Sequence, residues 1–385
     1  MISDNFLGLL KAVRFAGIYG WRRTIFKVAG RVRAGHPWWL GRLWRTGAQD
    51  IGLIGCGQFG LSSIGYTLLT RRGRCIASCF DTDRQAARSL AHALAVPKVA
   101  ETSIELISDP GVSIVYIASN HGSHTDYALS AMAAGKVVYV EKPISVTLQQ
   151  LISLAANRRQ DSTQVFAGYN RPFSRAIRDL RAWCLDAIGP LTLSCFVSGH
   201  QLQPDHWYRD PKEGTRVCGN IGHWLDLAVH LLGWNGLPDG WRILVAWSDP
   251  KVRDEDLSIT LTSERGDLVN IVLTARTEPF EGINETINLQ WGDTIAKIDD
   301  FRRMTVWKKE RLRNYAYRPK DVGHIAAIMQ PFSDNVRDFT EVEKSTLLML
   351  EIADMVINGD RDRAFSFSNA WLQLGLPRDA ELHRR

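Results

Sequence analysis

The sequence predicts an α/β protein: a doubly wound parallel sheet leads, and an α/β domain with a large, mostly antiparallel open sheet follows. Three observations predict it. Between residues 51 and 140, short apolar runs alternate with segments of helical periodicity. A glycine-rich turn joins the first run to the first such segment. From residue 241 onward, stretches rich in Val, Ile and Thr alternate in polarity and are separated by turn residues. Strand–helix alternation implies parallel pairing, and period-two stretches joined by turns imply antiparallel pairing.

A chain of 385 residues can bury two sizeable cores. The reading divides it into a basic arm (1–48), the parallel-sheet domain (49–168) and a substrate and oligomerisation domain (169–385), so a homo-oligomer is expected. The formal net charge is +6, but residues 1–50 alone hold nine Lys or Arg against two Asp. The basic character therefore belongs to the arm. The body shows no basic stripe and no nucleic-acid reading motif, which argues against a nucleic-acid partner. No apolar run reaches the roughly 18 residues that a membrane-spanning helix needs. The six cysteines, at 56, 75, 79, 184, 195 and 218, form no CxxC pair. That usage suits buried thiols in a reducing compartment, so a cytoplasmic location is expected, with membrane association through the arm left open.

In the arm, Phe6, Leu9, Leu10 and Val13 recur at helical spacing, as do Trp21, Ile25 and Val28 among Arg22, Arg23, Lys27 and Arg31. Two readings stay open: contact with an anionic membrane surface, or packing of the apolar face on the body or a second subunit. Arg22-Arg23-Thr24-Ile25-Phe26-Lys27 is similar to a twin-arginine export motif. However, Arg31, Arg33 and then His36-Pro37-Trp38-Trp39 follow where an apolar stretch and cleavage site would be needed.

Ile51, Leu53 and Ile54 form a short strand that enters Gly55-Cys56-Gly57-Gln58-Phe59-Gly60. This is the G-x-G-x-x-G of a dinucleotide-binding, or Rossmann, turn. The first glycine allows the turn, the second lets backbone approach a pyrophosphate, and the third lets the helix lie close to the strand. Gln58 and Phe59 complete the loop, and the pyrophosphate meets the free N–H groups of the next helix. A second strand, 75–80, ends at Asp81, about 20 residues after the glycines. A carboxylate there accepts from ribose hydroxyls and repels a 2′-phosphate, which favours NAD; Arg84 leaves NADP open. The alternative is that Asp81 only caps the helix Arg84–Leu94. Further strands at 114–118 and 137–140 end at Ser119-Asn120-His121 and Glu141-Lys142-Pro143. Carboxyl ends of parallel strands face the ligand crevice, so Ser119, Asn120, His121, Glu141 and Lys142 join the cofactor-binding candidates. Residues 341–359 read as a helix stopped by Gly359.

These segments, with Val165–Ser174, His223–Gly233 and Ile298–Met304, resemble the Gfo/Idh/MocA oxidoreductases over roughly residues 49–370. The segments Asp205–Pro211, Cys218–Asp226 and Asp299–Arg302 are similar to a subgroup associated with bacterial surface-polysaccharide clusters. The resemblance implies hydride transfer between NAD(P) and a secondary alcohol or ketone of a sugar or nucleotide-sugar, in surface-glycan biosynthesis. It implies Lys142 beside the nicotinamide, a cis peptide before Pro143, and His223 and Asp226 in a D-x-x-x-H-x-x-D pattern. The first Asp of that pattern is Gly219 here, with Asn220 beside it, so a strict copy of the family's triad is not expected.

Oxidising an alcohol needs an acid/base as well as the cofactor. Histidine titrates near neutrality, and a lysine beside a cationic ring is pushed down by like charge. His223 is therefore read as general acid/base and Lys142 as the group that polarises oxygen; the two roles can exchange. Without the resemblance, His223 reads as a packing residue of a helix whose core face is Trp224, Leu227, Ala228 and Leu231. His223, Asp226 and His230 share its other face, but the spacing is wide for a metal and none is expected. The polar, aromatic stretch 200–220 either lines a sugar site or is a solvated loop. In the first case His206, Trp207, Arg216 and Asn220 meet substrate with Asn170, Arg171 and Asp226, through aromatic stacking and arginine–anion contacts. Two other classes stay open: a cofactor-binding, membrane-tethered assembly protein without redox chemistry, and an NAD-dependent glycosidase.

Overall fold

The computed structural model describes residues 4–32, 40–160, 164–203, 205–277 and 282–375. Arg33 and His36-Pro37-Trp38-Trp39 of the export-motif comparison lie outside the described residues. The chain divides into two compact units: Met1–Ser145, Ala156–Tyr169 and Gly323–Phe339 form the first, and Val146–Ala155, Asn170–Val322 and Thr340–Arg385 the second.

The first unit opens with two helices, α1 (Asp4–Tyr19) and α2 (Trp21–Arg31), broken at Gly20, whose φ of 86° no side-chain-bearing residue adopts easily. Strand–helix alternation follows: β1 (Thr46–Ile54), α3 (Tyr66–Arg72), β2 (Arg74–Phe80), α4 (Arg84–Leu94), β3 (Lys98–Val99), α5 (Ser103–Ser108), β4 (Ile114–Ile117), α6 (His124–Ala133), β5 (Val137–Val140), α7 (Leu148–Gln160, of which the residues up to Ala155 are assigned to the second unit) and β6 (Val165–Ala167). The six strands pair in parallel in the order β3-β2-β1-β4-β5-β6. The order reverses at β1, which opens a crevice beyond the carboxyl ends of β1 and β4. Ile51 and Leu53 of β1, Leu68 of α3, Leu90 of α4, Tyr116 and Tyr139 form one buried cluster. The helix His324–Ile328 joins it through Ile328, whose carbonyl accepts from the Tyr116 hydroxyl at 2.7 Å.

Helix α2 packs on this unit, but not by its most apolar stripe. Phe26 and Ala29 enter the core cluster and Gly30 is buried beside them. Trp21, Ile25 and Val32, spaced along one stripe, stay exposed.

The second unit carries α8 (Arg175–Trp183), β7 (Leu191–Ser198), α9 (Gly222–Gly233), β8 (Gly240–Trp247), β9 (Leu257–Ser263), β10 (Leu268–Thr274), β11 (Asn284–Trp291), β12 (Thr294–Asp299), β13 (Arg303–Lys308), β14 (Arg311–Ala316) and β15 (Asp362–Ser366). Their order is β14-β13-β12-β11-β7-β10-β9-β8-β15, and every pairing is antiparallel except β7 with β10. The period-two pattern buries one face, with α9 on β7 and α8 on β12 and β13, and leaves Phe196, Ile295 and Trp307 of the other face exposed. The helix Phe339–Asn358 stops at Gly359, φ 83°. The two-sheet α/β class expected from the sequence is the observed one.

An ion pair lies inside this unit. Arg171 donates Nε to Glu285 at 2.8 Å and Nη2 at 3.1 Å, and Trp224 Nε1 donates to the same carboxylate at 2.7 Å. Both charged side chains are almost fully buried. Removing one partner strands the other charge, so Arg171→Ala is expected to destabilise the protein by about 3–5 kcal/mol. A urea titration checks this; a loss under about 1 kcal/mol contradicts it.

Candidate active site

The glycine turn behaves as its spacing requires. Gly55 sits at φ 93°, and a Cβ there would lie 2.3 Å from the Ala118 carbonyl carbon. A Cβ on Gly60 would meet the Gly55 oxygen at 2.3 Å, so the third glycine lets helix and strand touch. A Cβ on Gly57 would meet nothing within 4 Å. Only the second glycine looks into open space, as a backbone that must approach a pyrophosphate should. Gln58 and Phe59 precede a wide helical turn, Gly60–Gly65, with hydrogen bonds one residue longer than in an α-helix. Asp81 closes the loop from the β2 side: its carboxylate accepts from Cys56 N at 2.7 Å and from Asp83 N at 2.9 Å. A carboxylate has about four acceptor positions, so capacity for ribose hydroxyls remains. The cap of α4 is Asp83, which accepts from Gln85 N, so Asp81 is not the capping residue. Arg84 is paired with Glu101.

The strand ladder continues one step into the site. Gly55 N donates to Phe80 O, Ala118 N to Ile54 O, Glu141 N to Ile117 O and Gly168 N to Val140 O, all at 2.8–2.9 Å. These bonds hold the ends of β2, β1, β4, β5 and β6 level. At β4, Ser119 Oγ bonds Ser123 Oγ at 2.8 Å, Asn120 is exposed and His121 is buried. At β5, the Lys142–Pro143 peptide is cis. The turn is clamped by the first residues of α6: His124 Nδ1 lies 2.7 Å from Pro143 O, and its Nε2 lies 3.0 Å from Ser119 O. Thr125 Oγ1 donates to Ile144 O at 2.9 Å. Burial pushes His124 down to about 4, with the Lys142 charge adding to it, so the ring is neutral at pH 7. A neutral ring has one N–H and so donates to only one of these two carbonyl oxygens. His124 and Thr125 were not among the sequence candidates, since nothing local to them signals a bond 19 residues away.

Glu141 is buried beneath this turn. Tyr139 donates its hydroxyl to Oε1 at 2.8 Å, and Lys142 N lies 3.3 Å from Oε2. A Cβ on Gly168 would fall 2.6 Å from the carboxyl carbon, so a larger residue there would displace the Glu141 carboxylate. Burial, outweighing Tyr139 and Lys142, raises Glu141 from 4.5 to about 7. A raised value favours the folded state while the group is protonated. That contribution is complete below pH 4.5 and is lost as pH rises through about 7. Relative to Glu141→Gln, the wild-type protein is therefore expected to lose about 3 kcal/mol across that interval. Urea unfolding of both proteins across the interval reads the difference, and a constant offset contradicts it.

In the second unit the helical stretch that carries His223 begins with another wide turn, Val217–Ile221, which runs into α9. Such turns recur at functional sites. Trp224, Leu227, Ala228 and Leu231 are buried as expected, and on the opposite face Asp226 is buried while His223 and His230 are half-buried. Asp226 has no exposed surface and accepts from Ser345 Oγ at 2.9 Å. His230 bonds Glu341 Oε1 at 2.8 Å. His223 stands half-buried at the first turn. Asn170 Nδ2 donates to Val322 O, while its Oδ1 is buried without a hydrogen-bond partner. Arg171 is held by Glu285 as described. Trp207 is 40% exposed and stands edge-on to Tyr208, while His206 accepts from Tyr208 N.

Arg216 is the unusual residue. It is 1% exposed, donates Nη2 to His200 O at 2.8 Å and Nε to Asn220 Oδ1 at 3.3 Å, and leaves Nη1 without a hydrogen-bond partner. Burial lowers its basicity. Arg216, Asn220 and His223 follow at helical spacing. A buried guanidinium with an unmade bond is costly unless something completes it. All six cysteines are free and buried, and burial pushes Cys218 up to about 11, so no thiolate serves this region at pH 7.

Comparison with known proteins adds the following. Residues 50–169 match the GFO_IDH_MocA model, described as an oxidoreductase family with an NAD-binding Rossmann fold. The chain is 24% identical over 294 residues to a myo-inositol 2-dehydrogenase of Thermotoga maritima, covering 76% of this chain and 77% of that one. It is 30% identical over 239 residues to a scyllo-inositol 2-dehydrogenase (NAD(+)) of Bacillus subtilis, covering 59% and 68%. For several other inositol 2-dehydrogenases the match spans about half of their length. GenD2 from gentamicin A biosynthesis, solved with NAD, shares the fold with a TM-score of 0.68 at 14% identity, covering 83% of this chain and 97% of that one.

Proposed function

Because the chain belongs to the Gfo/Idh/MocA family of NAD-binding oxidoreductases, we propose that it transfers a hydride between NAD and a secondary alcohol or ketone of a sugar-type substrate that carries an anionic group, such as a nucleotide-sugar used in surface-glycan synthesis. The observation that carries the redox reading is the row of strand ends bearing Gly55–Gly60, Asp81, Ser119 and Lys142 in one sheet, with open space over Gly57. Bound NAD supplies the hydride acceptor. Gly57, Gln58, Phe59 and Gly60 hold its pyrophosphate, and Asp81 accepts from its ribose. Ser119, Asn120, His121 and Glu141 border it.

Lys142 donates a hydrogen bond to the substrate oxygen and steadies developing negative charge, and His223 takes the proton. His124, Thr125 and Glu141 position Lys142 through the turn. Arg216 and Asn220 hold the substrate, with Trp207 and His206 beside them, and Arg171 and Asp226 act from within the packing. Asn170 offers its unmet Oδ1 to the same region. The absence of a carboxylate at Gly219 leaves His223 as the proton acceptor without that partner.

The support for an anionic substrate is Arg216. Hydrogen bonds to charged groups contribute roughly 1.5–3 kcal/mol, so Arg216→Ala is expected to raise KM about 10- to 100-fold for a substrate bearing phosphate or carboxylate. Initial rates with NAD, comparing myo-inositol with phosphorylated, uronate and nucleotide-linked sugars, test this. Equal turnover of neutral polyol and charged sugars, with KM unmoved in Arg216→Ala, overturns the charged-substrate reading. A homo-oligomer built on the uncovered sheet face is part of the same proposal, supported by exposed Phe196, Ile295 and Trp307. The proposed location is cytoplasmic; among the described residues no helix is long and apolar enough to cross a membrane.

A further inference from the structure

Helices α1 and α2 are held against the first unit and yet turn apolar side chains outward. Phe26, Ala29 and Gly30 dock α2, and a Cβ on Gly30 would rest 3.5 Å from Gln58 and Ser62, just behind the glycine turn. Lys27 lies over the Phe15 ring at 4.3 Å, which ties α1 to α2. The outer stripe of α2 carries Trp21, 63% exposed, with Ile25 and Val32; α1 adds Leu9, 61% exposed, with Leu10 and Val13. Lys11, Arg14, Arg22 and Arg31 are exposed on the same two helices. Residues 5–49 contain nine Lys or Arg and no Asp or Glu.

A solvent-facing tryptophan flanked by branched aliphatics is not explained by packing in this chain, nor is an arm without acids. A second copy paired through this face would bring two positively charged arms together, which repel. A polyanion such as nucleic acid would meet the cations and leave Leu9, Val13, Ile25 and Val32 in water. An anionic bilayer satisfies both features, with apolar side chains entering the headgroup–acyl boundary and cations meeting lipid phosphates. We propose that α1 and α2 adsorb the protein to an anionic lipid bilayer, and that the docked α2 fixes how the cofactor-binding unit is presented at that surface.

The test is co-sedimentation of the full chain with vesicles of phosphatidylcholine containing phosphatidylglycerol, and with vesicles of phosphatidylcholine alone. The expected result is sedimentation with the anionic vesicles, about 10-fold weaker binding to the neutral ones, and loss on raising salt. The double change Trp21→Ser with Ile25→Ser is expected to weaken anionic binding about 10-fold while NAD affinity stays unchanged. Arg22→Glu with Arg31→Glu, which leaves the apolar stripe intact, is expected to weaken it similarly. Three results overturn the proposal: no sedimentation above background, equal binding to both vesicle types, or variants that bind like wild type. If the Trp21/Ile25 variant instead changes the oligomer mass without changing vesicle binding, the face belongs to a second copy.

Discussion

Replacing Lys142 with alanine is expected to lower kcat by about 10²- to 10⁴-fold while NAD affinity changes little. The reasoning starts from where the residue is held. Its neighbours Pro143 and Ile144 are bonded to His124 and Thr125, and Glu141 is bonded to Tyr139, so the turn has little freedom. In the proposed arrangement, a lysine held at this strand end would act on the reacting oxygen beside the nicotinamide and would contribute little to holding the dinucleotide, which the glycine turn would bind. Turnover and NADH binding measured on one preparation separate the effects. A variant with normal kcat contradicts the role; one that loses NAD binding in parallel assigns Lys142 to the cofactor instead.

The second large effect separates the second and third glycines of the turn. Gly60→Ala places a methyl 2.3 Å from the Gly55 carbonyl oxygen, a backbone atom that cannot swing away. It is expected to cost several kcal/mol of stability and to abolish NAD binding with it. Gly57→Ala places its methyl in open space, with nothing within 4 Å. Its melting temperature is expected to stay within a degree or two of wild type, while NAD binding weakens on the order of 10-fold, or about 1.4 kcal/mol. Thermal melts with and without NAD read both quantities. Equal loss of stability in the two variants contradicts the distinction.

The legible parts of this molecule were those set by local chemistry. The glycine turn, the strands that flank it and the helix Arg84–Leu94 could be read from periodicity and turn residues, because each is stabilised by neighbours in sequence. What could not be read depends on distant partners. Arg171 meets Glu285 across 114 residues, and the bond from His124 to Pro143 crosses 19. Both carry ordinary local patterns. The wide turns at Gly60–Gly65 and Val217–Ile221 were invisible because each is a single short turn, too brief to set a periodicity of its own. The parallel pair β7–β10 was hidden because period-two alternation is the same in either direction.

The arm shows a different limit. Periodicity identified the apolar stripe of Trp21, Ile25 and Val28 but not which way it turns, and its first two residues, Trp21 and Ile25, are exposed. Docking is done by Phe26 and two small residues, Ala29 and Gly30, whose merit is close approach of the backbone. In α9, His223, Asp226 and His230 read from the sequence as a face opposite the apolar one, and of these Asp226 is buried against Ser345. A polar residue can mark an internal hydrogen bond as readily as an open surface.

The most direct test of the central claim is the absorbance of reduced nicotinamide when purified protein, NAD and a panel of phosphate- or carboxylate-bearing sugars are combined, with binding of NAD, NADH, NADP and NADPH measured alongside. The account predicts tight binding of the NAD pair and a substrate-dependent appearance of NADH that disappears in Lys142→Ala. A protein that binds none of the four dinucleotides would contradict it.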